Sequence, residues 1–168
     1  MSARTRAGRV WLLKSEPEVF SFDELWRAPK RTTSWGGVRN YQARNLLRDE
    51  LSPGDLVLFY HSSSTPSGVA GVAEVVRGGY PDPTQFDARD PAHDPASTVD
   101  EPRWYAVDVR ALGALPRFVP LEAMRAERGL AGMVLLQRGS RLSVQPVTPA
   151  EARIVLSMGG WKDPRRSP

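Results

Sequence analysis

The chain of 168 residues contains no cysteine. That excludes a disulfide framework, a thiol nucleophile and any cysteine-ligated metal. Histidine is almost as scarce, with His61 and His93 alone, so a histidine-rich metal centre is not expected. No apolar run approaches the roughly 20 residues of a membrane-spanning helix. No pattern of a secretory leader is visible either. The expectation is a soluble, cytoplasmic monomer with no cofactor, no metal and no membrane partner, and its arginine- and alanine-rich composition suggests a bacterial source.

What the chain does carry is an uneven charge. The net charge is +4 and the pI about 9.8. Residues 78–103 hold six acids and two arginines, a net of −4, so the remainder carries +8. An acidic segment on a basic body leaves that body free to hold phosphates. The length suits one domain with a real core, expected over residues 10–160. Residues 1–9 and 161–168 are basic and expected to be loose. Residues 78–103 contain five prolines and no periodicity. They read as a long ordered loop or a mobile flap, pinned in part by Tyr80 and Phe86.

The elements follow from pattern. Residues 10–14 predict a first strand. Pro17 stops it and holds Glu16 extended. Lys14, Ser15 and Glu16 therefore stand just past a strand end, where polar groups suit a site. Ser21-Phe22-Asp23-Glu24 is a capping-box pattern that opens a short helix, and Pro29 ends it. Residues 41–50 predict an amphipathic helix, with Ala43, Leu46 and Leu47 on one face and Arg44 and Arg48 on another. Residues 55–61 predict a strand apolar on both sides, as in a sheet covered on both faces. Further strands are expected at 68–76, 104–112 and 142–147. Helices are expected at 120–128, closed by Gly129, and from Thr148-Pro149-Ala150-Glu151 to Gly159. Short strands broken by helices, without regular alternation, argue for an α+β fold: a small mixed β-barrel with surrounding helices.

One stretch holds more chemistry than a core segment needs. Residues 34–45 read Ser-Trp-Gly-Gly-Val-Arg-Asn-Tyr-Gln-Ala-Arg-Asn. Trp35 offers a flat stacking face, Asn40 an amide that donates and accepts, and Arg39 and Arg44 charge for phosphates. His61 ends a strand beside a serine-rich loop, which makes it a candidate for contact with a base edge. The plain alternative is a loop whose Trp35 caps a core edge, whose arginines face water and whose histidine is a satisfied hydrogen-bonding group.

The motifs, taken together, resemble the EVE domain family, a branch of the PUA-like barrels. The residues that carry the resemblance are Trp11 to Pro17, Trp35 to Asn45, Phe59-Tyr60-His61-Ser62, Gly71-Val72-Ala73-Glu74, Tyr80 to Phe86, Trp104 to Val109 and Arg141 to Val147. They occur in family order over nearly the whole chain. The family is similar in fold to YTH domains, which read methylated adenine in RNA. The resemblance implies a PUA-like barrel with a pocket for one modified cytosine or adenine, in DNA or RNA. On that reading Trp35 stacks on the base, and Ser15, Asn40 and His61 read its edge. Lys14, Arg39, Arg44 and Arg141 hold phosphates. Tyr41, Tyr60 and Trp104 are the candidates for a second aromatic wall. The acidic Asp-Pro repeats of residues 78–103 are expected to vary freely.

Two other functions compete. Some PUA-like relatives resemble amidohydrolases that act on acylated cytidine. Lys14 with Glu74 or Glu16 would then supply the activated group and the acid or base. No metal set, cysteine or triad accompanies them, and an enzyme is not expected. The third possibility is a protein-interaction barrel with no ligand.

Overall fold

The strand expected to be apolar on both sides lies at the centre of a sheet covered on both faces. The computed structural model of the protein describes residues 8–139 and 141–165. Six strands form one sheet: β1 (Val10–Ser15), β2 (Thr32–Trp35), β3 (Leu56–His61), β4 (Gly68–Pro81), β5 (Tyr105–Pro120) and β6 (Val144–Val147). Their order is β2-β5-β4-β3-β1-β6. β1 and β3 run parallel, and the other pairs run antiparallel.

Alternation along β1 and β3 sends residues to two separate cores. Trp11, Leu13, Val57 and Phe59 meet Phe22 and Leu25 of α1 (Phe22–Arg27) and Ala43 and Leu47 of α2 (Tyr41–Asp49). Leu12, Leu58 and Tyr60 meet Met124 of α3 (Leu121–Ala126) and Ala152 and Val155 of α4 (Pro149–Met158). Each such large side chain, fully buried, contributes about 1.5–3 kcal/mol. Gly71 is where α1 comes closest: a Cβ there would lie 2.5 Å from the Phe22 ring. Both capping boxes form, at Ser21/Glu24 and Thr148/Glu151.

Several boundaries differ from the sequence expectation. β4 runs on to Pro81 and β5 to Pro120, absorbing glycines and prolines through repeated shifts of register. β2 was expected as loop. Its four residues pair only with β5 at the sheet edge, too short a run to show alternation. The helix expected at 120–128 stops at Ala126. The last strand begins at Val144 rather than 142.

The acidic segment is an ordered loop rather than a flap. Asp87, Asp90 and Asp94 each accept the backbone N–H two residues on, the Asx turn that aspartate favours. These aspartates therefore shape the chain. Gln85 is fully buried and binds four places at once. Its Nε2 donates to Asp82 O and Trp104 O, at 2.7 and 2.8 Å. Its Oε1 accepts from Ser97 Oγ, Arg103 N and Trp104 N.

Asp55, also buried, accepts the indole N–H of Trp11 at 2.9 Å and the backbone N–H groups of Arg9 and Ser52. Residues 161–165, expected to be loose, are tied to the body. Trp161 packs on the second core, and Arg165 Nη1 lies 2.9 Å from Glu74 Oε2. Residues 1–7 and 166–168, the remainder of the two expected loose ends, lie outside the described residues.

His61 closes the end of β3 against α1. Its Nε2 accepts the Phe22 N–H at 3.1 Å, which requires that nitrogen to be unprotonated. Burial lowers the imidazole pKa. Stability from this group is therefore fully present above the unfolded value of about 6.5 and is lost as pH falls from there through the folded value. Urea unfolding midpoints are expected to drop between about pH 7 and 5. In His61→Phe that part of the pH dependence is expected to vanish. For the loop, Gln85→Leu leaves buried backbone groups unpaired. It is expected to cost about 2 kcal/mol or more and to expose Arg89 and Arg103 to trypsin, read as new cleavage products under native conditions.

Candidate functional site

The two edges of the sheet meet at one cavity. β2 and β6 are the outermost strands, yet Thr33, Ser34 and Trp35 of β2 and Ser143 beside β6 line the same hollow. The sheet thus curls on itself, and a cavity of about 600 Å³ occupies the gap between its edges. The C-terminal end of β1 forms another side, with Lys14 and Ser15. After Pro17 the chain turns tightly, with the N–H groups of Val19 and Phe20 both donating to Glu16 O. Ser15 Oγ donates to Phe20 O at 2.5 Å and locks the same turn. Glu16, Val19 and Phe20 consequently face the cavity.

The remaining wall is residues 36–40, held from behind by Asp82. That carboxylate is 1% exposed. Oδ2 accepts from Gly37 N at 2.7 Å and from Arg39 Nη1 at 3.0 Å, and Oδ1 accepts from Thr84 N and Thr84 Oγ1. Burial pushes the Asp82 carboxyl up, but the donors from Gly37, Thr84 and Arg39 outweigh it and hold it below the ordinary carboxylate range. Glycine is required here for two reasons. A Cβ on Gly36 would lie 2.9 Å from the Asp82 carboxylate, and Gly37 has φ +75.

Of the residues singled out in the sequence, the cavity gathers Lys14, Ser15, Trp35, Arg39 and Asn40. Trp35 is 8% exposed and stands edge-on to Phe59, with ring centroids 5.4 Å apart. Asn40 caps α2, accepting the Ala43 N–H on Oδ1. Lys14 reaches the cavity at the end of β1, and its Nζ lies 6.0 Å from the Tyr60 ring centroid. Burial lowers its pKa.

Arg39 lines the cavity but has its five N–H groups engaged, by Ala92 O, Val38 O, Asp82 Oδ2 and Thr84 Oγ1. It braces the loop and has no donor left for a phosphate. His61 faces a different hollow, shared with Phe22 and Trp26, and its Nε2 is occupied by Phe22 N. Tyr41 is 52% exposed and lies outside the cavity, stacked on Trp104 at 4.8 Å. Arg44 sits over Tyr41 and donates to Arg103 O. Arg141 is exposed, two residues from Ser143, and forms no ion pair among the described residues.

None of the three residues expected as a second aromatic wall lines the cavity. Tyr60 belongs to the second core, and Trp104 is covered by Tyr41. Phe20 is the second aromatic side chain, beside Trp35, that lines the cavity. The sequence offered Phe20 only as a core residue; its signal was position, three residues after the proline that ends β1. Lys14 and Glu74 are not brought together. Lys14 pairs with Tyr60 and Glu74 with Leu56, about 13 Å apart along the strand at roughly 3.3 Å per residue. Glu74 is instead paired with Arg110 and Arg165.

A family model, the EVE domain, matches residues 9–158. Human thymocyte nuclear protein 1 is 44% identical over 165 residues, covering 88% of this chain and 72% of the human protein. A crystal structure of human THYN1 protein in complex with DNA containing 5-methylcytosine superposes with a TM-score of 0.86. It is 40% identical and covers 96% of this chain and 100% of that one. A protein of known structure from Pseudomonas putida is 44% identical with a TM-score of 0.85, over 89% and 99% of the two chains. The YTH domain of the Zygosaccharomyces rouxii MRB1 protein, solved with N6-methyladenosine RNA, shares the fold at 15% identity and a TM-score of 0.53, over 95% and 92%. The sequence match over nearly all of the folded body makes this chain a member of the EVE domain family.

Proposed function

We propose that this protein is a nucleic-acid reader that takes one modified base into the cavity between its sheet edges. The observation that carries the reading is the cavity itself. It has two aromatic side chains, Trp35 and Phe20, among polar groups from three separate segments, the mixture that a base with two flat faces and a polar edge requires. A relative 40% identical over 96% of this chain was solved with DNA containing 5-methylcytosine. Trp35 and Phe20 supply the apolar walls. Ser15 and Asn40 meet the base edge. Lys14, Arg44 and Arg141 contact the backbone. Arg39, His61 and Tyr41 have no part in holding the base: Arg39 has no donor left, His61 faces another hollow, and Tyr41 lies outside the cavity.

Magnitudes divide the work. Extracting a base costs a few kcal/mol in a duplex and less in a single strand. Stacking returns about 1–3 kcal/mol per base. The two roughly cancel, so affinity comes from backbone charge and selectivity from the cavity.

The test is binding at fixed salt to one short oligonucleotide carrying unmodified cytosine, 5-methylcytosine or N6-methyladenine, as DNA and as RNA. One modified form is expected to bind tighter than its unmodified partner. Trp35→Leu and Phe20→Leu keep apolar volume and remove a flat face, and each is expected to weaken binding of the modified form about 5- to 100-fold and to lower its preference over the unmodified form. Unchanged preference in both would rule out the cavity as the binding place. Arg141→Ala is expected to weaken all forms alike and to lower the slope of log affinity against log salt by about one.

A further inference from the structure

Hydrogen bonds already made within the protein decide which groups around the cavity are free for a ligand. Arg39 has no donor left. Asn40 Oδ1 is taken by the Ala43 N–H, leaving its NH2 group. Ser34 Oγ shares a hydrogen with Tyr80, and Ser15 Oγ gives its own to Phe20 O. Glu16 differs from all of these. It contributes the one carboxylate among the residues lining the cavity. That carboxylate has no hydrogen bond or ion pair among the described residues. Its backbone is fixed by the turn, through the Val19 and Phe20 N–H groups on Glu16 O.

A carboxylate accepts hydrogen bonds and donates none. The bases divide on that property. Cytosine and adenine present an exocyclic amino donor, whereas thymine presents a keto acceptor in the same place. We propose that Glu16 reads the exocyclic amino group of the captured base, so that the cavity accepts 5-methylcytosine and rejects thymine. This rests on the cavity being a base pocket.

The distinction is one the apolar walls cannot make. Thymine and 5-methylcytosine carry the same methyl group on the same ring, and Trp35 and Phe20 contact both alike. Only a polar edge separates them, and a site built to bind an N–H rejects the analogue that lacks it. Against 5-methylcytosine the carboxylate accepts from N4. Against thymine it faces O4, and two acceptors meet with no hydrogen between them. The free NH2 of Asn40 acts in the same sense, because N3 accepts in cytosine and carries a hydrogen in thymine.

The experiment reads ratios. Wild type and Glu16→Gln are titrated at one salt concentration with single-stranded DNA identical except for one central base: cytosine, 5-methylcytosine or thymine. Glu16 is exposed at the cavity rim, so the variant is expected to fold, which its unfolding midpoint confirms. A glutamine amide both donates and accepts, and it can turn to suit either base. Wild type is expected to bind 5-methylcytosine about ten- to a hundredfold tighter than thymine. In Glu16→Gln that ratio is expected to fall towards one, through a gain in thymine binding. The change of charge shifts all three affinities together and leaves the ratio untouched. If wild type prefers 5-methylcytosine to cytosine but Glu16→Gln keeps the ratio to thymine, the role of Glu16 is overturned and the base pocket stands. If wild type binds all three alike, capture of 5-methylcytosine and the role of Glu16 are overturned, and the base pocket falls with them only if N6-methyladenine is not preferred either.

Discussion

The buried carboxylate of Asp82 is the constraint on which the site depends. It receives four hydrogen bonds from three residues. Two of those residues, Gly37 and Arg39, lie in the cavity wall, and the third begins the long loop. A charge this deeply buried persists only when its lone pairs are filled, so the wall and the loop hold each other in place. Glycine at 36 and 37 follows from that contact. The guanidinium of Arg39 then continues to Ala92 O, deeper in the loop. An acidic, proline-rich segment with no periodicity becomes a rigid buttress through one well-placed side chain at its start.

The same contact explains what could and could not be seen in the sequence. Local signals were legible. Ser21/Glu24 and Thr148/Glu151 announced their helices because a capping box closes within four residues. Leu56–His61 announced a doubly covered strand because alternation is local too. Trp35 and Lys14, which both line the cavity, each sit at a strand end with unusual neighbours. The partners of Arg39 and His61 were not legible, for the opposite reason. Their side chains suit phosphates and base edges, but their actual partners lie 43 and 39 residues away in sequence. Gln85 went unnoticed for the same cause: its partners at Ser97, Arg103 and Trp104 are close only after folding. β2 was lost because four residues at an edge carry no period.

Charge follows a similar logic. The acids of the loop looked like a solvated patch offsetting a basic body. Three of the six are turn-formers: Asp87, Asp90 and Asp94 each accept a backbone N–H, and Asp94 also receives the indole N–H of Trp104 at 2.7 Å. Part of the loop's acidity thus serves its shape, since aspartate makes turns. The basic residues left unpaired, such as Arg141, are those free to meet an external anion.

The first and last strands of the fold lie side by side. β1 pairs with β6 from Val10↔Val147 to Leu13↔Val144, and Lys14 N donates to Ser143 O. The cavity therefore draws one wall from the beginning of the chain and another from near its end. Contacts so distant in sequence carry a large loop-closure entropy. A chain emerging from the ribosome can build the central strands early, but it has no complete cavity until β6 arrives. The cavity is thus complete only once the chain has reached Ser143.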